Sequence, residues 1–187
     1  MEGRVLRHKL FGAEYERVFT VGDGSCFFHS IALYLDLNDF CADGKSWSER
    51  AADGHQLRRD VLDRTRYTAW VDDNGFQGLV LPYEEAVDPK IFADDGLIAY
   101  TAFALDLTIF IVKGKSETYV RYGRDRMTSP AIILAHIEDY HFEPIVPSQH
   151  YHPFEFPSGF VTALSPGPKC CVLEPDRSIL QKLNAKN

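Results

Sequence analysis

Apolar side chains recur three and four residues apart in three stretches of the chain, which is the spacing of one face of a helix. The first stretch predicts a buried helix over 26–37, which follows a glycine-rich turn. The second predicts a helix over 55–71 that the polar segment 72–75 ends. The third predicts a helix over 94–105, whose first two residues are aspartates that can cap it.

Runs of strand length follow in the second half of the chain. Segments 107–112, 117–122, 131–137 and 140–146 are rich in β-branched and aromatic residues, with polar or glycine-containing segments between them. A short extended segment, 18–21, leads into the turn before the first helix. Helices come first and strands later, which predicts an α+β fold with a small sheet packed against helices.

The composition changes after the last of these apolar runs. Five prolines lie from Pro153 to Pro175, with glycine and serine between them. We therefore predict a single domain over 1–187 with a core of about 18–146. The proline-rich extension, 147–187, is expected to pack on that core or to trail behind it.

The overall composition excludes several classes of protein. A chain of 187 residues with 45% hydrophobic residues can fill one core without disulfides or metals. The net charge of −7 argues against a nucleic-acid partner. No apolar run reaches the roughly 18 residues that cross a bilayer, and segment 1–11 lacks the apolar stretch of a signal peptide. We expect a monomer in the cytosol, with no membrane partner.

The four cysteines indicate neither a disulfide framework nor a metal site. They include no C-x-x-C pair, which is typical of a reduced chain. A zinc site needs four convergent ligands. Candidates are Cys41, His150, His152 and Cys170, which show no recognised ligand spacing. The sequence therefore predicts no metal and no other cofactor.

Cys26 has the surroundings that a thiol nucleophile requires. The thiolate is the reactive form of cysteine, and the N–H groups at a helix N-terminus stabilise it. Cys26 follows Gly22-Asp23-Gly24-Ser25 and begins the first predicted helix. The glycines allow the backbone N–H groups of Gly24, Ser25 and Cys26 to turn toward the oxyanion of a tetrahedral intermediate. A buried, inert cysteine after a glycine turn explains the same pattern without catalysis.

Two motifs resemble those of the ovarian-tumour (OTU) cysteine proteases. The segment Asp23-Gly24-Ser25-Cys26-Phe27-Phe28-His29-Ser30 resembles the family's Asp-Gly-x-Cys signature, and its aromatic pair and His-Ser are similar to the viral branch. Ser25 stands where the family usually has asparagine. The apolar run 132–134 leads into His141-Phe142-Glu143-Pro144-Ile145-Val146, which resembles the late strand with the family's catalytic histidine.

The resemblance implies a papain-like fold in which Cys26, on a helix N-terminus, faces His141 on a strand. It implies a deubiquitinating enzyme, in which Cys26 attacks the carbonyl after the C-terminal glycine of ubiquitin and His141 acts as the base. The implied partners are ubiquitin, polyubiquitin chains or a ubiquitin-like modifier, and no cofactor is implied. A viral or secreted chain of this kind would act in the host cytosol.

The third member of a catalytic triad stays open between two acidic residues. Glu143 follows His141 by two positions, and alternate residues of a strand share a face. The family more often has Asp or Asn there, and glutamate is one methylene longer. Asp23, just before the nucleophile, is the other family candidate, and it can orient the histidine or brace the oxyanion loop. We favour Asp23 slightly for orienting His141 and keep both residues.

Other histidines are weaker candidates. His150 is the alternative to His141 as the base, since an aromatic residue also follows it. We prefer His141 because a strand-like run leads into it and an acidic residue follows two positions later. His29 can share a helical face with Cys26, and we expect it to pack or to contact substrate. His55 gives no functional signal.

Three other functions are compatible with parts of the sequence. A non-catalytic module with the same fold would bind ubiquitin without cutting it. A cysteine protease of other specificity would act on a ubiquitin-like modifier or a viral polyprotein. Nucleotide binding through Gly22-x-Gly24 has the weakest support, because the third glycine of the G-x-G-x-x-G motif is absent.

Overall fold

A computed structural model of the chain describes residues 4–7, 14–35, 46–113, 119–123, 131–138 and 140–147. The helices and strands within these ranges are, in chain order, β1 (Arg4–Arg7), β2 (Glu14–Arg17), α1 (Cys26–Leu35), α2 (Trp47–Val61), α3 (Arg64–Asn74), α4 (Tyr83–Ala86), α5 (Asp95–Ala104), β3 (Thr108–Lys113), β4 (Tyr119–Tyr122), β5 (Ala131–Ile137) and β6 (His141–Pro147). Helices together with a mixed sheet confirm the predicted α+β class.

The strands form a six-stranded sheet in the order β1-β2-β6-β5-β3-β4. Strand β5 pairs in parallel with β3, and every other neighbouring pair in this sheet is antiparallel. Strands β5 and β6 form a hairpin in which Ile137 pairs with His141. The hairpin therefore places His141 at the very start of β6, directly after the turn.

Helix α1 is the buried helix of the fold. From Cys26 to Tyr34 it is buried, except for the half-buried Ala32. It lies between β6 on one side and α2 on the other, so that both of its faces exclude water. This position explains why α1 is apolar around its circumference instead of along one stripe.

Two hydroxyl groups fix α1 against the sheet. The Tyr34 hydroxyl lies 2.8 Å from the carbonyl oxygen of Ile133 on β5 and also contacts the carbonyl of Ile145 on β6. The Ser30 hydroxyl lies 3.0 Å from the carbonyl oxygen of Phe142. Buried hydroxyls need such partners. These contacts set the position of α1 along β6, and with it the position of Cys26.

The single helix predicted over 55–71 is wrong, because the chain forms two helices there. Helix α2 begins earlier, at Trp47, after a capping box. The Ser46 side chain accepts a hydrogen bond from the Glu49 N–H, and the Glu49 carboxylate accepts one from the Ser46 N–H. This reciprocal pair satisfies two backbone donors and starts the helix ahead of residue 55, where the apolar spacing predicted it.

The break between α2 and α3 also has a capping residue. Asp63 has extended backbone angles, and its side chain accepts a hydrogen bond from the Arg66 N–H at 2.9 Å. An N-cap of this kind begins a new helix and thereby ends the previous one. Helix α3 runs on through Asn74, and Gly75 closes it in the left-handed conformation with φ of 68°.

The remaining elements lie close to their predicted positions. Asp94 caps α5 by accepting a hydrogen bond from the Leu97 N–H at 2.7 Å. Strand β5 has the predicted bounds, while β3 and β6 are shifted by one residue. The sequence did not predict β1 and β2. Among the described residues, no helix combines the length and the apolar character needed to cross a membrane.

Candidate active site

Cys26 is the first residue of α1 and lies where the helix meets the β5–β6 turn. It is 1% exposed, and its Sγ is 3.7 Å from the carbonyl oxygen of Tyr140 in that turn. The backbone N–H groups at the start of a helix favour negative charge on such a sulfur. The thiol therefore contacts the same hairpin that carries His141.

His141 interacts with Cys26 from the start of β6. The neighbouring Cys26 thiol and, next in size, Glu143 raise the pKa of His141 to about 9, against the opposing effect of burial. At neutral pH the imidazole therefore holds a proton. A protonated imidazole beside a thiol is the form that can later protonate a leaving amine.

Glu143 is the acidic neighbour of His141, and Arg17 holds it from the other side. Glu143 Oε1 is 3.7 Å from His141 Nε2, and Glu143 Oε2 is 3.5 Å from Arg17 Nε on β2. Both separations exceed those of a good hydrogen bond, so the contacts act through charge. The Glu143 side chain is only 12% exposed, which limits screening by water.

The carboxylate of Asp23 is engaged on the other side of the nucleophile loop. Oδ1 accepts hydrogen bonds from the Ser25 N–H at 2.8 Å and from His29 Nε2 at 2.9 Å. Oδ2 accepts one from His55 Nε2 at 3.0 Å. Asp23 thus joins the loop to α1 and α2.

The structure therefore places Glu143, and not Asp23, beside His141. The sequence slightly favoured Asp23 for orienting His141 and kept both residues as candidates, and this geometry now favours Glu143. The physical reason is the turn itself: the Asp23 side chain accepts the Ser25 N–H two residues on, as in an Asx turn, which directs the carboxylate toward the helices. Of the two roles considered for Asp23, bracing the loop agrees with these contacts.

The His29 ring is uncharged at neutral pH although the Asp23 carboxylate lies beside it. Burial lowers the pKa of His29 and outweighs its attraction to Asp23, so the ring is neutral at neutral pH. Burial raises the pKa of Asp23, but His29 and hydrogen bonds from Ser25, His29 and His55 leave that pKa below its ordinary value. The direct contact between His29 Nε2 and the Asp23 carboxylate is a hydrogen bond of 2.9 Å.

The three N–H groups predicted for the oxyanion hole have different partners. The Ser25 N–H donates to the Asp23 carboxylate at 2.8 Å, and the Cys26 N–H donates to the Asp23 carbonyl at 3.2 Å. The Gly24 N–H donates to no group in the part of the chain that the structure describes. Ser25 is thus committed to the turn, whereas Gly24 and the more weakly bonded Cys26 are the better candidates to meet an oxyanion.

Arg58 of α2 supports the nucleophile loop from the protein interior. It is 1% exposed, and its Nη1 donates to the Gly24 carbonyl at 3.0 Å and to Ser25 Oγ at 3.1 Å. Burial lowers the pKa of Arg58 to about 10, which leaves it charged at neutral pH. The carbonyl and N–H of one trans peptide point in opposite directions. By binding the Gly24 carbonyl, Arg58 turns the Ser25 N–H toward Asp23.

Packing requires the second glycine of this loop and not the first. A Cβ at Gly24 would lie 2.2 Å from the carbonyl carbon of Lys90, which belongs to the backbone of a neighbouring loop. A Cβ at Gly22 would meet nothing within 4 Å. The loop around residue 90 therefore packs directly on the Gly24 backbone.

Comparison with solved structures identifies the fold. The OTU domain of OTUD1 aligns with a TM-score of 0.51 and 16% identity, over 70% of this chain and 85% of that one. An OTU domain solved in complex with ubiquitin aligns with a TM-score of 0.51 and 14% identity, over 81% of this chain and 83% of that one. This chain has the OTU fold.

A viral OTU protease, from Qalyub virus, aligns at a TM-score of 0.46 with 20% identity, over 77% of this chain and 99% of that one. No protein-family model matches the sequence, and no curated protein does. The OTU fold confirms the fold that the two motifs implied. The roles of single residues within it remain predictions that rest on the geometry described above.

Within this OTU fold, the sequence did not indicate three residues that lie near the nucleophile or its base. Arg17 lies on a short charged strand with no strand signal, and Arg58 is one of several charged residues of α2. His55 meets Asp23 only because α2 packs against α1. A weak signal existed for His29, since helical spacing places it near Cys26, and its burial now favours packing over substrate contact. The alternative base His150, the zinc candidates Cys41, His152 and Cys170, and residues 148–187 lie outside the described residues.

Proposed function

We propose that this chain is a deubiquitinating cysteine protease, a thiol-dependent hydrolase of the peptide or isopeptide bond after the C-terminal glycine of ubiquitin. The observation that carries the proposal is that Cys26, at the N-terminus of α1, contacts the turn that leads directly into His141, with Glu143 next to that histidine. Cys26 and Glu143 together raise the pKa of His141. The OTU domain solved with ubiquitin has the same fold, which supports ubiquitin or a ubiquitin-like modifier as the substrate.

The first half of the reaction is acyl transfer to sulfur. The Cys26 thiolate attacks the carbonyl carbon of the terminal glycine, and the thiol proton resides on His141. The Gly24 and Cys26 N–H groups stabilise the oxyanion of the tetrahedral intermediate. Its collapse breaks the C–N bond, and His141 passes the proton to the departing amine of lysine. Glu143 favours the imidazolium until that transfer occurs.

The second half releases ubiquitin. Water attacks the thioester carbonyl, and His141, now neutral, accepts a proton from that water. The C–S bond breaks, and the Cys26–His141 pair returns to its starting state. The balance requires only water as a co-substrate, so the chain's own residues supply all the acid–base steps.

The surroundings of the thiol favour a substrate with glycine at the bond that is cut. Cys26 is 1% exposed, so only a slim chain can bring a carbonyl to its sulfur, and glycine has no side chain to obstruct the approach. Three exposed aromatic residues lie near the pair. They are Phe19, beside the His141 ring, Tyr140, and Phe92, whose ring is 6.5 Å from that of Tyr140. Exposed aromatic side chains are typical anchors for a protein partner.

The first experiment is labelling with a ubiquitin probe that has an electrophilic C-terminus. We expect the parent protein to form an adduct of one ubiquitin per chain, Cys26→Ala to form none, and His141→Ala to react far more slowly. Cys41→Ala is the matched cysteine control and His150→Ala tests the alternative base. Both are expected to label like the parent.

The other outcomes select among the alternatives. If the parent binds ubiquitin but never forms an adduct, the chain is a non-catalytic ubiquitin-binding module. If it reacts with a probe built on a ubiquitin-like modifier and not with ubiquitin, the specificity is wrong and the chemistry stands. Neither binding nor labelling by either probe would reject the proposal and direct attention to other peptide substrates, such as a viral polyprotein.

A further inference from the structure

A second group of chemically active side chains lies on the helical side of Cys26. It comprises Asp23 from the loop before α1, His29 from α1 and His55 from α2. Each offers one oxygen or nitrogen atom, and these atoms all lie within 4.8 Å of one another. His29 Nε2 is 2.9 Å and His55 Nε2 is 3.0 Å from an oxygen of Asp23. The proposed reaction uses neither of these two histidines.

The donor set suits a divalent transition metal. Two imidazole nitrogens and a carboxylate oxygen are ligands that zinc and other divalent first-row transition metals bind. Ligand atoms around a tetrahedral zinc ion lie about 3.3 Å apart, given metal–ligand distances of about 2.0–2.1 Å. The two contacts, each to a different oxygen of Asp23, are a few tenths of an ångström shorter than this, and all three ligand atoms lie within 4.8 Å of one another. A small adjustment of these side chains is therefore enough to surround an ion. We propose that Asp23, His29 and His55 bind a divalent ion of the zinc class.

Packing holds the ligands in place before any ion arrives. His29 is 1% exposed, and a Cβ at Gly54 of α2 would lie only 1.9 Å from His29 Nδ1. The helix therefore presses on one side of the ring and leaves Nε2 directed at Asp23. The Ser25 N–H fixes one carboxylate oxygen at 2.8 Å. Ligands that are already fixed lose little freedom when they bind.

The site is open to solvent on one side. The Asp23 and His55 side chains are 31% and 29% exposed, whereas His29 forms the buried floor. Three protein ligands leave at least one coordination position for water. An ion bound there joins the nucleophile loop to both α1 and α2, and a ligand that binds only the folded state raises its stability.

A cluster held by hydrogen bonds and a cluster that binds a metal differ in whether the two histidine Nε2 atoms carry hydrogen. If the three groups are held by hydrogen bonds alone, both Nε2 atoms carry hydrogen and donate to Asp23. A metal requires both Nε2 atoms to be unprotonated. Titration with a metal therefore distinguishes a binding site from a purely structural cluster, and it needs no ubiquitin substrate.

Cobalt chloride is the probe, because the visible absorption of Co²⁺ reports its coordination and zinc then displaces it. The full chain is titrated as Cys26→Ser, so that the nucleophile cannot act as a ligand. We expect saturation at one ion per chain and displacement by Zn²⁺. His55→Ala should weaken binding at least tenfold. Gln56→Ala, which changes an exposed neighbour on α2 whose side chain bonds to Asp60 and Arg59, should bind like the parent.

A second measurement guards against misfolded variants. Thermal unfolding in the presence of a chelator checks that His55→Ala and Asp23→Asn still fold, and Zn²⁺ should raise the melting temperature of the parent and of neither variant. Equal binding by His55→Ala and the parent, or no binding at all, overturns the proposal. So does a cobalt–thiolate band in the native chain that disappears with Cys26→Ser and takes the binding with it.

Discussion

The N-terminus of α1 lies between two groups of histidine and carboxylate side chains that differ in protonation. On the sheet side, His141 meets Cys26 and Glu143, and its pKa is raised to about 9. On the helix side, His29 meets Asp23, and burial lowers the pKa of His29. The residue types are nearly the same, so their surroundings account for the difference.

The comparison shows that a carboxylate close to a histidine does not by itself make the ring charged. His29 is 1% exposed, and removing the charged ring from water outweighs the attraction of Asp23. The His141 side chain is 13% exposed and has two favourable partners, the thiol and Glu143. The sheet side is therefore suited to holding and releasing a proton, and the helix side to holding the loop.

Removal of the thiol should have the largest effect. We expect Cys26→Ala to lower the hydrolysis of a ubiquitin amide by about 10⁴-fold or more, since no other nucleophile adjoins His141 among the described residues. The same change removes the main influence on the ring, so the pKa of His141 should fall from about 9. Titration of the imidazole resonances by NMR measures this, and an unchanged pKa would contradict the pairing of Cys26 with His141.

The loop before α1, which contains Gly22 and Gly24, should be the next most sensitive to substitution. We expect Gly24→Ala to lower the free energy of unfolding by about 3 kcal/mol and to slow probe labelling, because its Cβ overlaps the Lys90 backbone. Gly22→Ala is the matched control, since nothing lies near its Cβ. Urea unfolding of both variants tests this, and equal stabilities would disprove the packing argument.

Neutralising the acid on the sheet side should give an intermediate effect. We expect Glu143→Gln to lower kcat/KM by roughly 10-fold to 100-fold, less than for an orienting acid in direct hydrogen-bond contact with its histidine. Without the carboxylate the imidazolium loses its proton at a lower pH, so the alkaline limb of the pH–rate profile should move toward neutrality.

The control for that experiment is Glu84→Gln, which changes an exposed carboxylate paired with Arg64 on the surface. Its pH–rate profile should coincide with that of the parent protein. If Glu143→Gln also leaves the profile in place, the third member of the triad must be sought elsewhere, with Asp23 as the next candidate.

The smallest expected effect is a pH dependence of stability. The pKa of His141 is about 9 in the folded state against 6.5 for an ordinary histidine, so folding strengthens proton binding. This stabilisation is complete below about pH 6.5 and is lost as the pH rises through about 9. Between these limits we expect the free energy of unfolding of the parent to fall relative to that of His141→Gln, measured by urea unfolding. Parallel curves would show that the ring is not stabilised in its charged form.

The fold was predictable where the chain repeats one pattern over a whole element. Strand β5 is a continuous apolar run and α1 is apolar throughout, and both were predicted within two residues at the described ends. Helices α2 and α3 are rich in charge, so their bounds depend on the caps at Ser46 and Asp63 and not on apolar spacing. Strands β1 and β2 are extended because β2 pairs with β6, and that partner lies far away in sequence.

The same distinction between local pattern and distant partner applies to the residues of the candidate site. Cys26 and His141 each belong to a local motif, so the sequence indicated both of them. The partners of Asp23 could not be found in this way, because His55 approaches it only through the packing of α2 on α1. Which of the two acids lies beside His141 likewise depended on a turn, because the turn after Asp23 directs its carboxylate toward the helices. The sequence indicated residues that belong to local motifs, whereas contacts between helices and strands could be found only in the structure.

The contact between the Cys26 sulfur and the Tyr140 carbonyl joins positions 114 apart in the chain. Contacts of such separation close a long loop and tend to form slowly during folding. Before they form, Cys26 is an ordinary thiol that any small alkylating reagent can reach. Afterwards it is buried and reacts best with a substrate shaped to enter. The ratio of probe labelling to alkylation at Cys26 therefore reports the fraction of newly made chain that has completed its fold.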